Sequence, residues 1–298
     1  METAILIPCL NEQTTIAEVV RGFDASMPEA TVYVYDNDST DSTAHLAREA
    51  GAIVRIERTR GKGNVVRRMF AEVDADVYVL VDGDGTYDSS VAKNLVNLLQ
   101  DQNLDMVVAS RMNSGNRAGH AYGNKVFNRL YRWMFGAGFT DIFSGYRVFN
   151  RGFVKSFPAT SNGFEIETEM SVHASQLRLS TAEVETLYGT RPEGSRSKLR
   201  TFYDGWEILK AMILLLKENR PFFLFGILSS ISTISAVVTG VPVIVDYIDT
   251  GLVERLPTAV LATGFIVIGL LFFAVGLILE AVTRSRIEFK RIAYLQSK

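Results

Sequence analysis

Short runs rich in Val, Ile and Tyr alternate with stretches of helical period along the first part of the chain. The runs cover residues 4–7, 31–35, 52–56, 77–81 and 106–109, and helical periods fill 14–23, 42–50, 62–73 and 89–100. Alternation of this kind predicts an α/β fold: a Rossmann-like, mainly parallel sheet with helices on both faces. The pattern changes at the C-terminus, where 222–245 and 256–279 contain no Asp, Glu, Lys or Arg. Each stretch is about 24 residues, enough to cross a bilayer. Between them lie Asp246, Asp249 and Glu254 with one arginine, whereas the outer flanks carry Lys217, Arg220, Arg284, Arg286, Lys290 and Arg291. The positive-inside rule then predicts a hairpin of two membrane helices with both chain ends cytoplasmic. The start of the chain lacks the basic and extended apolar regions of a signal peptide, so a cytoplasmic domain on the inner membrane face is expected. The segments expected are a catalytic domain over 1–200, a juxtamembrane amphipathic helix over 201–221, and the two spans with a basic tail over 222–298.

In a parallel sheet ligands bind where the strands end, and polar residues gather there. Strand one runs into Pro8-Cys9-Leu10-Asn11-Glu12 and strand two into Asp36-Asn37-Asp38-Ser39-Thr40-Asp41. Strand three is followed by Arg60-Gly61-Lys62-Gly63 and strand four by Asp82-Gly83-Asp84-Gly85-Thr86. Any one of these is an ordinary turn; four at one sheet edge point to a site. Asp82 and Asp84 repel each other unless a cation or proton lies between them, and an oxygen-only donor set favours Mg²⁺ or Mn²⁺. An EF-hand fits less well, because a strand precedes Asp82 and Lys93 stands where the loop needs glutamate. A Walker loop is excluded because Asn64 follows Gly63. Lys62 at a helix start is left either as an anion-binding group or as part of a basic turn.

Composition adds limits. The 298 residues carry a formal charge of -2, 47% hydrophobic and 21% charged residues. The mean hydropathy is +0.12. This length excludes a small disulfide-stapled scaffold, and Cys9, the single cysteine, cannot close an intramolecular disulfide. Near-neutral charge argues against nucleic acid as a partner.

The ordered set resembles family 2 glycosyltransferases of the GT-A fold, and within them the polyprenyl-phosphate glycosyltransferases. It includes Ile7 to Glu12, Asp36 to Asp41, Asp82-Gly83-Asp84, Ser110-Arg111, Phe143-Ser144-Gly145-Tyr146-Arg147, and Arg191 to Gly194 with Ser195, Ser197 and Lys198. The resemblance implies inverting transfer of a sugar from a UDP- or GDP-sugar to a membrane polyprenyl phosphate, with a divalent cation, Mg²⁺ or Mn²⁺. It implies nucleotide-sugar contacts at Pro8, Leu10, Asn11, Glu12, Asp36, Asp38, Lys62, Asp82 and Gly83. The metal falls to Asp84 with Asp82 beside it. Thr86 stands where the family often has glutamine, so Thr86 and Asp88 are both open as a further ligand. Arg111, Ser144, Arg147, Arg191, Ser197 and Lys198 are the candidates for the acceptor phosphate and product diphosphate. Asp141 is a base, an orienter or an N-cap.

The amphipathic stretch 124–135, with Phe127, Leu130, Tyr131, Met134 and Phe135 among Lys125, Arg129 and Arg132, suits either a membrane interface or a core helix. Segment 202–216, with Trp206, Leu209 and Met212, is a second interfacial candidate. Tyr131-Arg132-Trp133 resembles part of the QxxRW signature of processive polysaccharide synthases, but the glutamine is absent. Polysaccharide extension is therefore the second reading, and a catalytically silent nucleotide-sugar-binding scaffold the third. Family members often assemble as tetramers, which makes a homo-oligomer an expectation of the resemblance alone.

Overall fold

The computed structural model describes residues 1–112, 128–129, 131–133, 135, 139–163, 165–189, 213–214 and 216–297. They divide into two compact units, Met1–Gly205 with Lys290–Lys298, and Trp206–Phe289.

The first unit alternates strand and helix: β1 (Thr3–Cys9), α1 (Ile16–Ser26), β2 (Thr31–Asp36), α2 (Thr43–Glu49), β3 (Ile53–Ile56), α3 (Lys62–Glu72), β4 (Val77–Leu80), α4 (Ala92–Asp101) and β5 (Met106–Met112). There follow β6 (Arg147–Asn150), α5 (Arg151–Ser156), α6 (Ile166–Leu177) and β7 (Thr181–Leu187). Among the described residues the sheet has seven strands in the order β3-β2-β1-β4-β6-β5-β7. All four residues of β4 are buried, which is why it reads as an unbroken apolar run. Helix α1 buries Ile16, Val19, Val20 and Phe23, and α4 buries Ala92, Leu95, Val96 and Leu99, the one-sided stripes that cover a sheet face.

The sequence pattern did not show that β6 returns antiparallel between β4 and β5, pairing Leu80 with Arg147 and Val108 with Arg147. Because β6 runs backwards, its beginning lies at the edge where β4 and β5 end. The segment Asp141 to Arg147 is thereby delivered to the same edge as Asp82 and Asp84. Helix α6 also escaped the pattern, since it is buried nearly all round, including Glu167, Glu169 and His173. The last residues of the chain, expected to be a basic tail, pack with this unit: Tyr294 is buried and its hydroxyl donates to Asp105 Oδ1 at 2.6 Å.

The second unit holds α7 (Pro221–Thr250) and most of α8 (Leu256–Ser297), 30 and 42 residues long. Pro221 starts α7 without loss of a hydrogen bond, and Gly251 ends it at φ 69°, a left-handed position suited to glycine. Ser229 and Ser232 donate across the hairpin to the carbonyls of Gly269 and Phe265, each at 2.8 Å. Both helices are long and apolar enough to span a membrane, and only 11% of each apolar window is buried.

Candidate active site

The carboxylate pair sits on a turn flattened against β1. A Cβ on Gly83 would lie 2.4 Å from Cys9 Sγ, so only glycine fits, and Thr15 Oγ1 ties the turn down by donating to the Gly83 carbonyl at 2.7 Å. Asp84 is 4% exposed; its Oδ1 accepts from the Thr86 amide at 3.1 Å and the Thr86 hydroxyl at 2.5 Å. Thr86 thus acts on Asp84 as a hydrogen-bond donor that fixes its rotamer. Asp88, the other open ligand, caps the turn that follows by accepting from the Ser90 amide at 2.8 Å.

Asp82 is held from two sides. Its Oδ1 accepts from Lys62 Nζ, and a Cβ on Gly145 would lie 2.3 Å from its Oδ2. Lys62 Nζ also pairs with Glu167 Oε1, a residue outside every sequence motif. Burial acts to lower the Lys62 pKa, but the two carboxylates outweigh it and hold the ammonium above its ordinary value. Burial pushes the Glu167 carboxyl up, and Lys62 opposes that.

The start of α3, expected either to attract an anion or to form a basic turn, is covered by protein on the side of Asn162. Gly63 N donates to the Asn162 carbonyl at 3.1 Å, and a Cβ on Gly61 or Gly63 would stand 2.2 or 2.1 Å from the carbonyls of Asn162 or Ser161. Carbonyl oxygens therefore cover the helix start, the wrong polarity for a phosphate. Arg67 pins this covering loop, donating to the carbonyls of Ala159, Thr160 and Ser161. The two glycines serve close packing, and Lys62 turns to carboxylates.

The β1 and β2 loops are knitted together. Asn11, at φ 52°, accepts at Oδ1 from the Thr40 amide, and its own amide donates to Ser39 Oγ, both at 2.8 Å. Glu12 is buried, with its amide donating to Thr43 Oγ1 at 2.8 Å. Pro8 lies within β1 opposite Tyr35, and Leu10 follows the strand end at intermediate exposure. Asp36 Oδ2 accepts from the Ser39 amide at 3.2 Å, while Oδ1 is buried without a partner among the described residues. Asp38, at φ 61°, lies outside with its carboxylate 3.6 Å from Arg60. Asn37 is an organiser: its Nδ2 donates to the carbonyls of Glu57 and Thr59, and its Oδ1 accepts from Gly61 N at 2.7 Å.

Arg111 lies inside β5 and forms a two-pronged pair with Asp141, Nε to Oδ2 and Nη2 to Oδ1, both at 2.7 Å. Burial would raise the Asp141 carboxyl, but the guanidinium holds it below the usual carboxylate range. Asp141 therefore has an orienter's geometry. Its own amide donates to Glu183 Oε1 at 2.9 Å. Ser144 Oγ donates to the Ala109 carbonyl at 2.5 Å, and Gly145 N donates to the Tyr87 hydroxyl at 2.9 Å.

Arg147, a candidate for the acceptor phosphate and product diphosphate, lies in the interior. It is 0% exposed and donates to the carbonyls of Ser144 and Ile142, at 2.9 Å each, and to Ser171 Oγ. Burial lowers its pKa. Its fork organises the segment around Ser144 from within, out of reach of a ligand at the edge.

Arg191, Ser197 and Lys198 lie outside the described residues, as do 113–127 and all of 201–212. Gly189 N donates to the Thr86 carbonyl at 2.8 Å, so the chain is beside the Asp84 turn two residues before Arg191. Tyr131 is buried, its hydroxyl donating to the Ser171 carbonyl at 2.8 Å, while Trp133 is exposed. Glu167 and Tyr87 were missed because neither belongs to a short motif; the one available signal for Glu167 was the acidic run of Glu165, Glu167 and Glu169 at the start of α6.

Known proteins place this geometry in a family. The model for glycosyl transferase family 2 matches residues 4–157. Glycosyltransferase AglJ of Haloferax volcanii is 33% identical over 98% of this chain and 97% of its own length. A dolichyl-phosphate hexose transferase of the same organism is 27% identical over 74% of this chain and 96% of its own. Among solved structures, glucosyl-3-phosphoglycerate synthase from Mycobacterium tuberculosis in complex with Mn²⁺, UDP-glucose and phosphoglyceric acid superposes with a TM-score of 0.59 at 22% identity, covering 71% of this chain and 78% of that one. That likeness concerns the fold. With the family model over half its length and AglJ over nearly all of it, the chain belongs to glycosyl transferase family 2 and is a glycosyltransferase.

Proposed function

We propose that the protein transfers a hexose, with inversion, from a UDP- or GDP-sugar to a membrane polyprenyl phosphate. The observation that carries this reading is the presence, in one chain, of a carboxylate-lined sheet edge and two long helices whose apolar side chains lie exposed. A water-soluble acceptor needs no such helices, whereas a polyprenyl chain is confined to the bilayer. The relative named as a dolichyl-phosphate hexose transferase supports the acceptor, and the Mn²⁺ and UDP-glucose complex of the structural neighbour supports the donor and cation.

The residues fit a divalent cation. Asp82 and Asp84 offer oxygen alone, and among the described residues no third carboxylate, His or Cys completes a protein cage. That donor set suits Mg²⁺ or Mn²⁺ taking its remaining ligands from a diphosphate and water. Asp84, fixed by Thr86, would hold the ion with Asp82 beside it, and the ion would offset charge on the departing nucleoside diphosphate. Asp36, with its unpartnered Oδ1, and the Asn11, Glu12 and Asp38 loops form the nucleoside side. Arg111, aimed by Asp141, is a described cation for the acceptor phosphate, and Arg191, Ser197 and Lys198, which follow Gly189 in the sequence, are the further candidates. A phosphate monoester is largely dianionic at neutral pH, its second pKa being about 6, so its oxygen attacks the anomeric carbon without a strong base. The bond to the diphosphate breaks and the nucleoside diphosphate leaves.

Radiolabelled UDP- and GDP-hexoses, polyprenyl phosphate and Mn²⁺ should give chloroform-soluble label that disappears in Asp84→Ala. Label in water-soluble polymer would favour polysaccharide extension, and nucleotide binding without turnover a silent scaffold. The same reading places the catalytic domain and both chain ends on the cytoplasmic side. Cys9 is the only cysteine and is buried, so a cysteine introduced at Leu252 reports the hairpin loop alone; its labelling from the cytoplasmic face would overturn that orientation.

A further inference from the structure

Lysine is seldom buried between two carboxylates without cause, because desolvating three charges costs more than an apolar substitute would. Lys62 is in that position: its side chain is 9% exposed, Asp82 accepts from it on one side and Glu167 on the other. Glu167 is 4% exposed, and its Oε2 is buried with no partner in the described residues. A pair kept for stability alone would leave no such oxygen unsatisfied. Space around Asp82 is tight as well, since Gly145 leaves no room for a Cβ beside Oδ2, and the covering loop leaves none at Gly61 and Gly63 on either side of Lys62.

We infer that Glu167 is a positioning residue, acting through Lys62 to hold Asp82 in one posture and to set the charge of the carboxylate edge. This rests on the donor and cation reading above. One ammonium and two carboxylates leave a single negative charge on the trio, and Asp84 brings the edge to two, the complement of a divalent ion. Without Glu167 the ammonium cancels Asp82 and the edge keeps one negative charge. Without Lys62 and Glu167 together, the charge returns to two, but nothing holds Asp82 Oδ1. Charge and posture are therefore separable.

Binding of Mn²⁺ in the presence of UDP or GDP, read from the electron paramagnetic resonance signal of free Mn²⁺, measures the charge without any sugar transfer. Glu167→Gln keeps the side-chain shape and should weaken Mn²⁺ binding roughly ten-fold, as expected for one charge removed at close range. The double variant Lys62→Met/Glu167→Gln should bind Mn²⁺ within about three-fold of the wild type yet keep a lowered kcat, since its charge is restored and its geometry is not. Glu169→Gln is the comparison on the same helix: Glu169 anchors Thr160 and Ser161, so that variant should lower the melting temperature and leave Mn²⁺ affinity unchanged. Wild-type Mn²⁺ affinity in Glu167→Gln, an equal loss in Glu169→Gln, or wild-type kcat in the double variant would each overturn the inference while leaving the donor reading standing. Failure of the wild type to bind Mn²⁺ with either nucleotide would overturn both. If Glu167→Gln is recovered unfolded, the kcat of the double variant decides.

Discussion

Arg111 and Asp141 face each other as a two-pronged pair, both bridging distances 2.7 Å, with the Tyr188 ring centroid 5.5 Å from the guanidinium carbon. The strand supplies the arginine and the loop before β6 supplies the carboxylate. Removing one partner of a pair this buried leaves the other charge uncompensated, a cost of about 3 kcal/mol. Asp141→Asn should therefore lower the urea midpoint at neutral pH and reduce activity by freeing Arg111 to swing. The sign of the pH dependence follows from the direction of the shift. The folded pKa lies below the unfolded one, so the stabilisation is complete above the unfolded value of about 3.9 and fades as pH falls through the lower folded value. Urea midpoints of wild type and Asp141→Asn should converge in acid; a gap that persists unchanged at low pH would contradict this.

Gly145 stands against the Asp82 carboxylate, with 2.3 Å between an added Cβ and Oδ2. Gly145→Ala should push the carboxylate off its position and lower kcat by about 100-fold, the scale of a displacement near 1 Å. Its effect on the unfolding midpoint should be small beside that. Equal losses in stability and activity would point to general disruption instead.

Asp105 gathers the far end of the sheet: its Oδ1 accepts from Tyr294 at 2.6 Å and from Asn150 at 2.7 Å, and its Oδ2 accepts from the Ser180 amide at 2.8 Å. Tyr294→Phe removes one hydrogen bond to a buried charge and should cost about 1.5–3 kcal/mol. A chain truncated before Lys290 should lose more, because the ring packs against Gly152 as well. Thermal unfolding of the first unit reads both; an unchanged transition in Tyr294→Phe would show that the hydroxyl contributes nothing.

His173 stands in an aromatic box of Phe153 and Phe157, with Nε2 3.1 Å from Ser156 Oγ and Nδ1 unpartnered in the described residues. Burial, with the nearby Lys290 charge, takes its pKa down to about 3. The unfolded chain therefore binds a proton that the folded chain refuses between about pH 6.5 and 3, and stability should fall by up to about 1.4 kcal/mol per pH unit across that window. His173→Gln, which cannot titrate, should flatten this slope. An identical slope in both proteins would assign the acid sensitivity to other groups.

The edge motifs were legible because each is short and local: Asp82-Gly83-Asp84 and Asp36 to Asp41 stand at the ends of apolar runs that can only be buried strands. The two membrane-length helices were legible for a related reason, since a long run without charge has few other uses in a folded chain. Their true ends were not, because α8 continues through a charged stretch to Ser297, where Lys290 and Tyr294 find partners 114 and 189 positions earlier in the fold's first unit.

What the sequence by itself determined is the alternation, the family and the carboxylates that bear chemistry, all written in periodicity and in residues a few positions apart. Only the tertiary structure decided how those groups are wired. It made Lys62, open in the sequence as an anion-binding group or part of a basic turn, a bridge between Asp82 and Glu167, which are 85 positions apart in the numbering. It buried Arg147 and left Arg111 to face the edge with Asp141. The physical reason is that the direction of a charged side chain is set by the nearest opposite charge and by where water is excluded, and both depend on an antiparallel strand and a buried helix that no local pattern announces.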